Sequence, residues 1–425
     1  MVDVRPFRAI HYTVSAGDPE SLITQPYDKI DIGMQREYYA RSPYNFCRLI
    51  LPLEPNKYEV AAQRIQDWLS EDILEKDKAP AIFVCRQEFT LDGYNCVRTG
   101  VMAAVRLDDY DANVVFPHEI TYAAPKADRL KMLHTVQKDL EPVFLMYSDA
   151  NKTTIKLLAE IAKTEHLVSV ADSFGVKHTV WRVTDQNKIR LLQKALEPET
   201  AVITDGHHRY ESALAYRDSK LKEKGWTADA AFNFHMSLLV PVEDEGLVVL
   251  PTHRLLRKFD LTTEGLNALK KVFTVTEIEA TVRGLDGFLN SHKDEHAFAM
   301  YTRGKAYGLD LKHTESVYEF VRAKSSKDTK VYDVVILHDV IFKVILKTGE
   351  LSPDEDILYE RWTKTAVEKV DNGEAKAAFL VNPISARTVW QIAHQHERMP
   401  EKTTDFYPKP ASGLLMMDIE DKERL

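Results

Sequence analysis

The run Val202-Ile203-Thr204-Asp205-Gly206-His207-His208-Arg209-Tyr210-Glu211 gathers a carboxylate, two imidazoles and a guanidinium directly behind a β-branched stretch. β-Branched residues favour a strand, Asp-Gly favours a tight turn, and Tyr210, Ala213 and Leu214 have the apolar spacing of a helix. The first turn of a helix carries unpaired N–H groups at the positive end of its dipole, which suits an anion. His207, His208 and Arg209 would add donors where a phosphate lies, and Asp205 offers the hard oxygen that magnesium prefers. The bland alternative is a capped helix start with solvated basic residues. Three cation-forming side chains at the positive end of a helix are costly without an anion, so phosphate chemistry is the favoured reading.

Other metal and nucleophile chemistries fit less well. His207 and His208 diverge by about 100° on a helix and cannot share one metal without distortion. His118-Glu119 is not a zinc-protease motif, because Tyr122 stands where the second histidine is required. His394 and His396 suit a polar helix face. Three cysteines, Cys47, Cys85 and Cys96, form no CxxC pair and no complete disulfide set, which suits a reducing compartment.

Composition narrows the class. The chain has 425 residues, 44% hydrophobic and 28% charged, which is ordinary for a globular protein of two or three domains. A net charge of −9 argues against broad nucleic-acid binding, which needs a surplus of Lys and Arg on one face. The N-terminus lacks an apolar signal core, and the most apolar run, Val334 to Leu346, is broken by charges and too short for a bilayer. The expectation is a cytoplasmic protein without membrane or nucleic-acid partners.

The elements that must position these residues read as mixed α/β. Residues 1–112 contain a helix near Tyr58 to Leu74 and a hairpin of two strand-like runs, Ala81 to Cys85 and Val97 to Val105, around Asp92-Gly93. Asp28, Arg48, Gln87 and Arg98 could line a cleft there or serve structure. Residues 113–228 read as an extended run ending at Glu119, a helix through Leu140, a buried strand at 142–147, an insertion near 150–195, and the Asp205 turn. In residues 229–425 strands at 236–241 and 247–250 precede helices at 263–272, 333–347 and 385–398. A loop from Met399 to Pro410 and a closing strand at 413–418 follow. Arg254, Lys402, Thr403 and Lys409 are further candidates for phosphate.

Taken together, Asp205-Gly206-His207-His208-Arg209, His118-Glu119-Ile120-Thr121 with Arg129-Leu130, Leu250-Pro251-Thr252-His253-Arg254 and Met399 to Lys409 resemble the DUF1015 family, over residues 4 to 418. The central portion resembles the ParB/sulfiredoxin-like fold, in particular free serine kinases, which pair a His-Glu motif with a later Asp-Gly-x-His-Arg motif. The resemblance implies Glu119, Asp205 and His208 as catalytic, with Asp205 also at the metal. It implies Gly206, His207, Arg209, His118, Thr121 and Arg129 as nucleotide-binding. The implied cofactors are Mg2+ and ATP or ADP; the implied acceptor is free L-serine or a similar small hydroxylated metabolite; a homodimer is allowed. The alternative is a ParB-like nucleotide-binding regulator or nucleotide hydrolase. Such regulators need a helix-turn-helix where residues 230–250 read as strands. The kinase reading requires the 150–195 insertion to fold away so that Glu119 and Asp205 meet.

Overall fold

The structure, a computed structural model, describes residues 1–425 except Asp92, Ile120, Tyr122, Lys224, residues 319–331, Glu350, Pro353, Asp354, Pro400 and Glu401. The expected turn position Asp92 and the motif residues Ile120, Pro400 and Glu401 therefore lie outside the described residues. The architecture is mixed α/β, as expected, and divides into two compact units. Unit 1 comprises Met1–Leu247 with Pro408–Leu425, and unit 2 comprises Val248–Tyr407. This corrects the expected division at 112 and 228. Strands from all three of those segments share one nine-stranded sheet in unit 1, whereas unit 2 closes its cores wholly within the third.

That sheet runs, from one edge, Val115–Phe116, Ala201–Asp205, Val143–Tyr147, Phe234–Pro241, Tyr94–Arg106, Ile82–Leu91, Lys177–Val183 and Val168–Ala171, with Val4–Arg5 also paired to Tyr94–Arg106. Val143–Tyr147 and Phe234–Pro241 are buried along their whole length, which explains the unbroken apolar sequence of the first; the second also buries His235 and Ser237. The hairpin is longer than its apolar runs suggest. Its ladder continues to Leu91↔Tyr94 through Glu88, Thr90 and Asn95, polar residues that hydrophobic patterning passes over. The two strands of the 150–195 insertion sit at the far end of the sheet, beyond Ile82–Leu91. The segment does fold away from the Asp205 strand.

Helix His207–Leu221 buries Tyr210, Ala213 and Tyr216 and packs on helix Ala123–Val136. Helices Lys57–Ser70 and Ala123–Val136 share a core with a small sheet of Leu74–Lys76, Ala9–Tyr12, Met416–Asp418 and Lys138–Asp139. The last strand was expected to close the C-terminal region; it belongs to unit 1 instead. Buried Lys138 contacts Asp418 at 3.1 Å and Glu420 at 2.6 Å, while Arg8 and Lys76 each contact Glu423 at 2.7 Å. Charge pairing that no local periodicity reveals draws the tail back onto the N-terminal half.

Unit 2 is a six-stranded antiparallel sheet ordered Phe273–Ile278, Lys305–Leu311, Ala297–Thr302, Ala377–Val381, His253–Leu256, Ile357–Glu360. Helix Thr263–Val272 matches its expected span, and the 333–347 region is helical with a π-helical turn over Ile336–Ile345. Asp405–Tyr407, expected as loop, is a strand on Val248–Leu250. Its aromatic pair Phe406-Tyr407 outweighs the prolines that flank it. Among the described residues no helix is long and apolar enough to cross a membrane.

Unit 2 should be acid-sensitive. Burial, with Arg254 beside each, holds the His253 and His338 imidazoles down to about 3, so both are uncharged in the folded unit. The unfolded chain takes up a proton on each near pH 6.5. Stability is therefore complete above that pH and falls between about 6.5 and 3, with a slope approaching about 1.4 kcal/mol per pH unit for each histidine. Urea denaturation of unit 2 as a function of pH, compared with His338→Gln, should show a shallower slope in the variant; parallel profiles would contradict this origin.

Candidate active site

Parallel pairing fixes where the two sequence motifs end up. Ala201 pairs with Val115 and Val202 with Phe116, so the chain leaves both parallel strands toward the same end of the sheet. The strand stops at Pro117, which has no N–H for the ladder, yet the chain stays docked. His118 donates from Nδ1 to the Ile203 carbonyl at 2.6 Å, and its backbone N–H donates to His207 Nε2 at 3.3 Å. The two rings meet edge to face at 4.7 Å. His118 is fully buried, and the Glu119 carboxylate beside it, 3.8 Å from His118 Nε2, keeps 22% of its side chain exposed. The insertion makes the two motifs distant in sequence, and the sheet makes them adjacent.

Asp205 ends its strand with both carboxylate oxygens engaged. Arg209 Nη2 reaches Oδ2 at 2.5 Å and Lys409 Nζ reaches Oδ1 at 2.6 Å. Burial alone would raise the Asp205 carboxyl; Lys409 and Arg209, with Lys29 further out, outweigh it and hold the group well below the usual carboxylate range. Arg209 also donates to the Pro142 carbonyl and is buried. Burial would weaken its charge, but Asp205, Glu141 and Asp28 raise its proton affinity instead. Gly206 between them has φ +89°, and a Cβ there would meet the Arg209 guanidinium at 3.0 Å. Both the backbone twist and the arginine's path require glycine.

This arrangement corrects the assignment of Asp205 as a magnesium ligand. A carboxylate already in contact with a guanidinium and an ammonium does not fit a divalent cation, which needs several oxygens at about 2.1 Å and would meet both positive charges. The expected excess of cations at the helix start is also partly resolved within the protein. Arg209 is paired with Asp205, and His207 accepts a backbone N–H.

Lys409 is held in place by Gln87 and Arg98, two residues that the sequence reads as cleft-lining or structural, and here they serve structure. Buried Arg98 donates to the carbonyl of Pro408 and to Gln87, and Gln87 donates to the Lys409 carbonyl at 3.0 Å. Arg98 lies 4.6 Å over the Phe144 ring, and burial pulls its guanidinium down to about 9. Ser412 exchanges backbone hydrogen bonds with Thr24 and donates its hydroxyl to Glu141 at 2.8 Å. Residues 408–412 are thus strapped onto unit 1. Glu141, which also accepts from the Tyr27 N–H at 3.0 Å, was not singled out from sequence, and a lone acid beside a proline gives little signal.

The remaining candidates divide by location. His208 is half-buried on the first turn of helix His207–Leu221. Thr121 donates to Glu211 at 2.7 Å, where Lys126 also binds at 2.8 Å, so it ties the segment after Glu119 to that helix. Arg129 pairs with Asp128 at 2.5 Å, stacks 4.2 Å over Tyr27, and borders with Arg209 a void of about 30 Å³, room for one water. Arg254, Lys402 and Thr403 belong to unit 2, where Arg254 Nη2 donates to the Lys402 carbonyl at 2.9 Å.

Asp205→Asn would leave two buried cations without their counter-charge and should cost about 3–5 kcal/mol in unit 1, read by urea denaturation at neutral pH. Because the carboxyl binds protons less readily folded than unfolded, its contribution is complete above about pH 4 and fades as the pH falls below that. Wild type and variant should therefore converge in acid. Equal stability at pH 7 would show that Lys409 and Arg209 do not depend on the carboxylate.

No curated protein matches the sequence. Solved structures give distant likenesses. A free serine kinase in complex with AMP is 15% identical at a TM-score of 0.36, covering 76% of this chain and 93% of that one. A conserved hypothetical protein from Pyrococcus furiosus is 17% identical at 0.32, covering 72% and 89%. SbnI with a C-terminal truncation, from Staphylococcus aureus, is 9% identical at 0.36, covering 75% and 87%. A family model described as "Protein of unknown function (DUF1015)" matches residues 4–335, well over half of the chain, and the protein belongs to that family.

Proposed function

We propose that the protein is a nucleotide-dependent phosphotransferase that moves a phosphoryl group from ATP or ADP to the hydroxyl of free L-serine, giving O-phosphoserine. The observation that supports the transfer chemistry is the contact of His118, whose neighbour is Glu119, with Ile203 and His207 on either side of the Asp205-Gly206 turn. Serine as acceptor and the choice of donor rest on the resemblance of the His118-Glu119 and Asp205–Arg209 motifs to those of free serine kinases.

Phosphoryl transfer asks mainly for positioning and for charge to meet the transferring group. Glu119, partly exposed at the mouth of the turn, orients the acceptor hydroxyl and takes its proton as the new O–P bond forms and the bond to the nucleotide breaks. Lys409 and the uncapped start of helix His207–Leu221 face the phosphate charge, with His208 beside them. Asp205 keeps Lys409 and Arg209 oriented before substrate arrives, and charge is met by these side chains rather than by a metal on Asp205.

Purified protein incubated with magnesium, a nucleotide panel and pooled amino acids should yield phosphoserine by mass spectrometry. Glu119→Gln should lower turnover by about 10²-fold or more while leaving nucleotide binding nearly intact, the scale of removing a general base. No phosphorylated product from any pairing would defeat the proposal. Equal loss of binding and turnover would remove Glu119 from the base role.

A further inference from the structure

Unit 2 contains a cavity of about 220 Å³ with no part in the transfer chemistry above. Its lining includes Arg254, Lys293, Thr252 and Thr403, together with His296, Asp333 and the carboxylates of Asp294 and Glu295. We propose that this cavity binds a small metabolite carrying an oxyanion, a phosphomonoester or a carboxylate, seated on the Arg254 guanidinium with its polar remainder facing the His296–Asp333 pair.

The argument starts from an uncompensated charge. Arg254 is 1% exposed, among the most deeply buried large side chains of the chain. Its Nε donates to His338 Nε2 at 3.3 Å, Nη1 to the Thr252 carbonyl, and Nη2 to the Lys402 carbonyl at 2.9 Å. All three acceptors are uncharged: His338 is held neutral by burial and by Arg254 itself. Among the described residues no carboxylate pairs with Arg254. Burial draws the guanidinium down to about 10, so it still carries its charge at neutral pH. Buried arginines are usually paired, because an isolated charge in a low dielectric is costly.

Three of the five guanidinium N–H groups are used, which leaves two for a ligand. Two N–H groups of one guanidinium can hold the two oxygens of a carboxylate or phosphate. The hydroxyl-bearing Thr252 and Thr403 stand at the same cavity, both mostly buried. Also lining the cavity, His296 Nδ1 lies 2.7 Å from Asp333 Oδ1, and burial pushes the Asp333 carboxyl up in spite of the imidazole. That pair offers both donor and acceptor capacity to a hydroxyl or amine. A water occupies about 30 Å³ of liquid, so the volume admits a metabolite of several carbons. A few convergent polar groups in a concave pocket are what a small-molecule site presents.

The test uses the full chain, titrated by calorimetry with inorganic phosphate, glycerol 3-phosphate and succinate. Saturable binding of at least one probe is expected, weakened tenfold or more by Arg254→Gln and by Thr403→Val, and unchanged by Glu119→Gln. Preference between the phosphates and succinate identifies the oxyanion. Circular dichroism checks folding, and Thr403→Val, which keeps side-chain shape, carries the test if Arg254→Gln does not fold. Absence of binding by all three probes to the wild type, or affinity unchanged in the folded unit 2 variants, would overturn the proposal.

Discussion

The carboxylate of Asp205, fixed between Lys409 and Arg209, is the constraint on which the centre of unit 1 depends. It joins three parts of the chain that no local interaction would bring together: a strand end, the first turn of the following helix, and the returning C-terminal segment. In a buried setting each contact is far stronger than in water, and the loss of any one leaves a charge without a partner. The same pairing dictates the residue between strand and helix. Arg209 reaches Asp205 by folding back across position 206, where only glycine leaves room and accepts the left-handed backbone. Asp-Gly-x-x-Arg is therefore one mechanical device, and its sequence pattern follows from its packing.

The strap over residues 408–412 shows how that device is supplied with its second cation. A lysine near the end of a chain would ordinarily be solvated and mobile. Here Arg98 and Gln87 hold the carbonyls on either side of the Lys409 nitrogen's own segment, so the ammonium arrives at Asp205 on a fixed backbone. Preorganised charge needs no rearrangement when a substrate reaches it, which is the condition under which electrostatic stabilisation is most effective.

Much of this is legible in the amino-acid sequence. Apolar periodicity locates helix Thr263–Val272, and short continuous apolar runs locate the buried strands Val143–Tyr147 and Ala201–Asp205. The chemistry of the Asp205 turn is legible because its residue types are unusual for a helix start. Strand order is not, since adjacency in a mixed sheet is decided by long-range packing. Val115–Phe116 and Val143–Tyr147 read as neighbours joined by one helix, yet Ala201–Asp205 lies between them. The partners of Asp205 are equally hidden. Periodicity says nothing about which of several lysines in a proline-rich loop returns to a given acid. On sequence alone Lys402, Thr403 and Lys409 are therefore equal candidates for phosphate, and the fold distributes them between two units.

The pairing also alters what an incoming phosphate would meet. A cluster of unpaired cations would hold any phosphate tightly, substrate and product alike, and tight ground-state binding adds nothing to the chemical step. With Asp205 in contact with both cations, a phosphate must share them with a carboxylate, so neither cation meets it with its full charge. On the proposed reading, Asp205 is thus more than a brace for the turn. It tempers the affinity of Lys409 and Arg209 for resting phosphate while keeping both aimed, which favours turnover over retention.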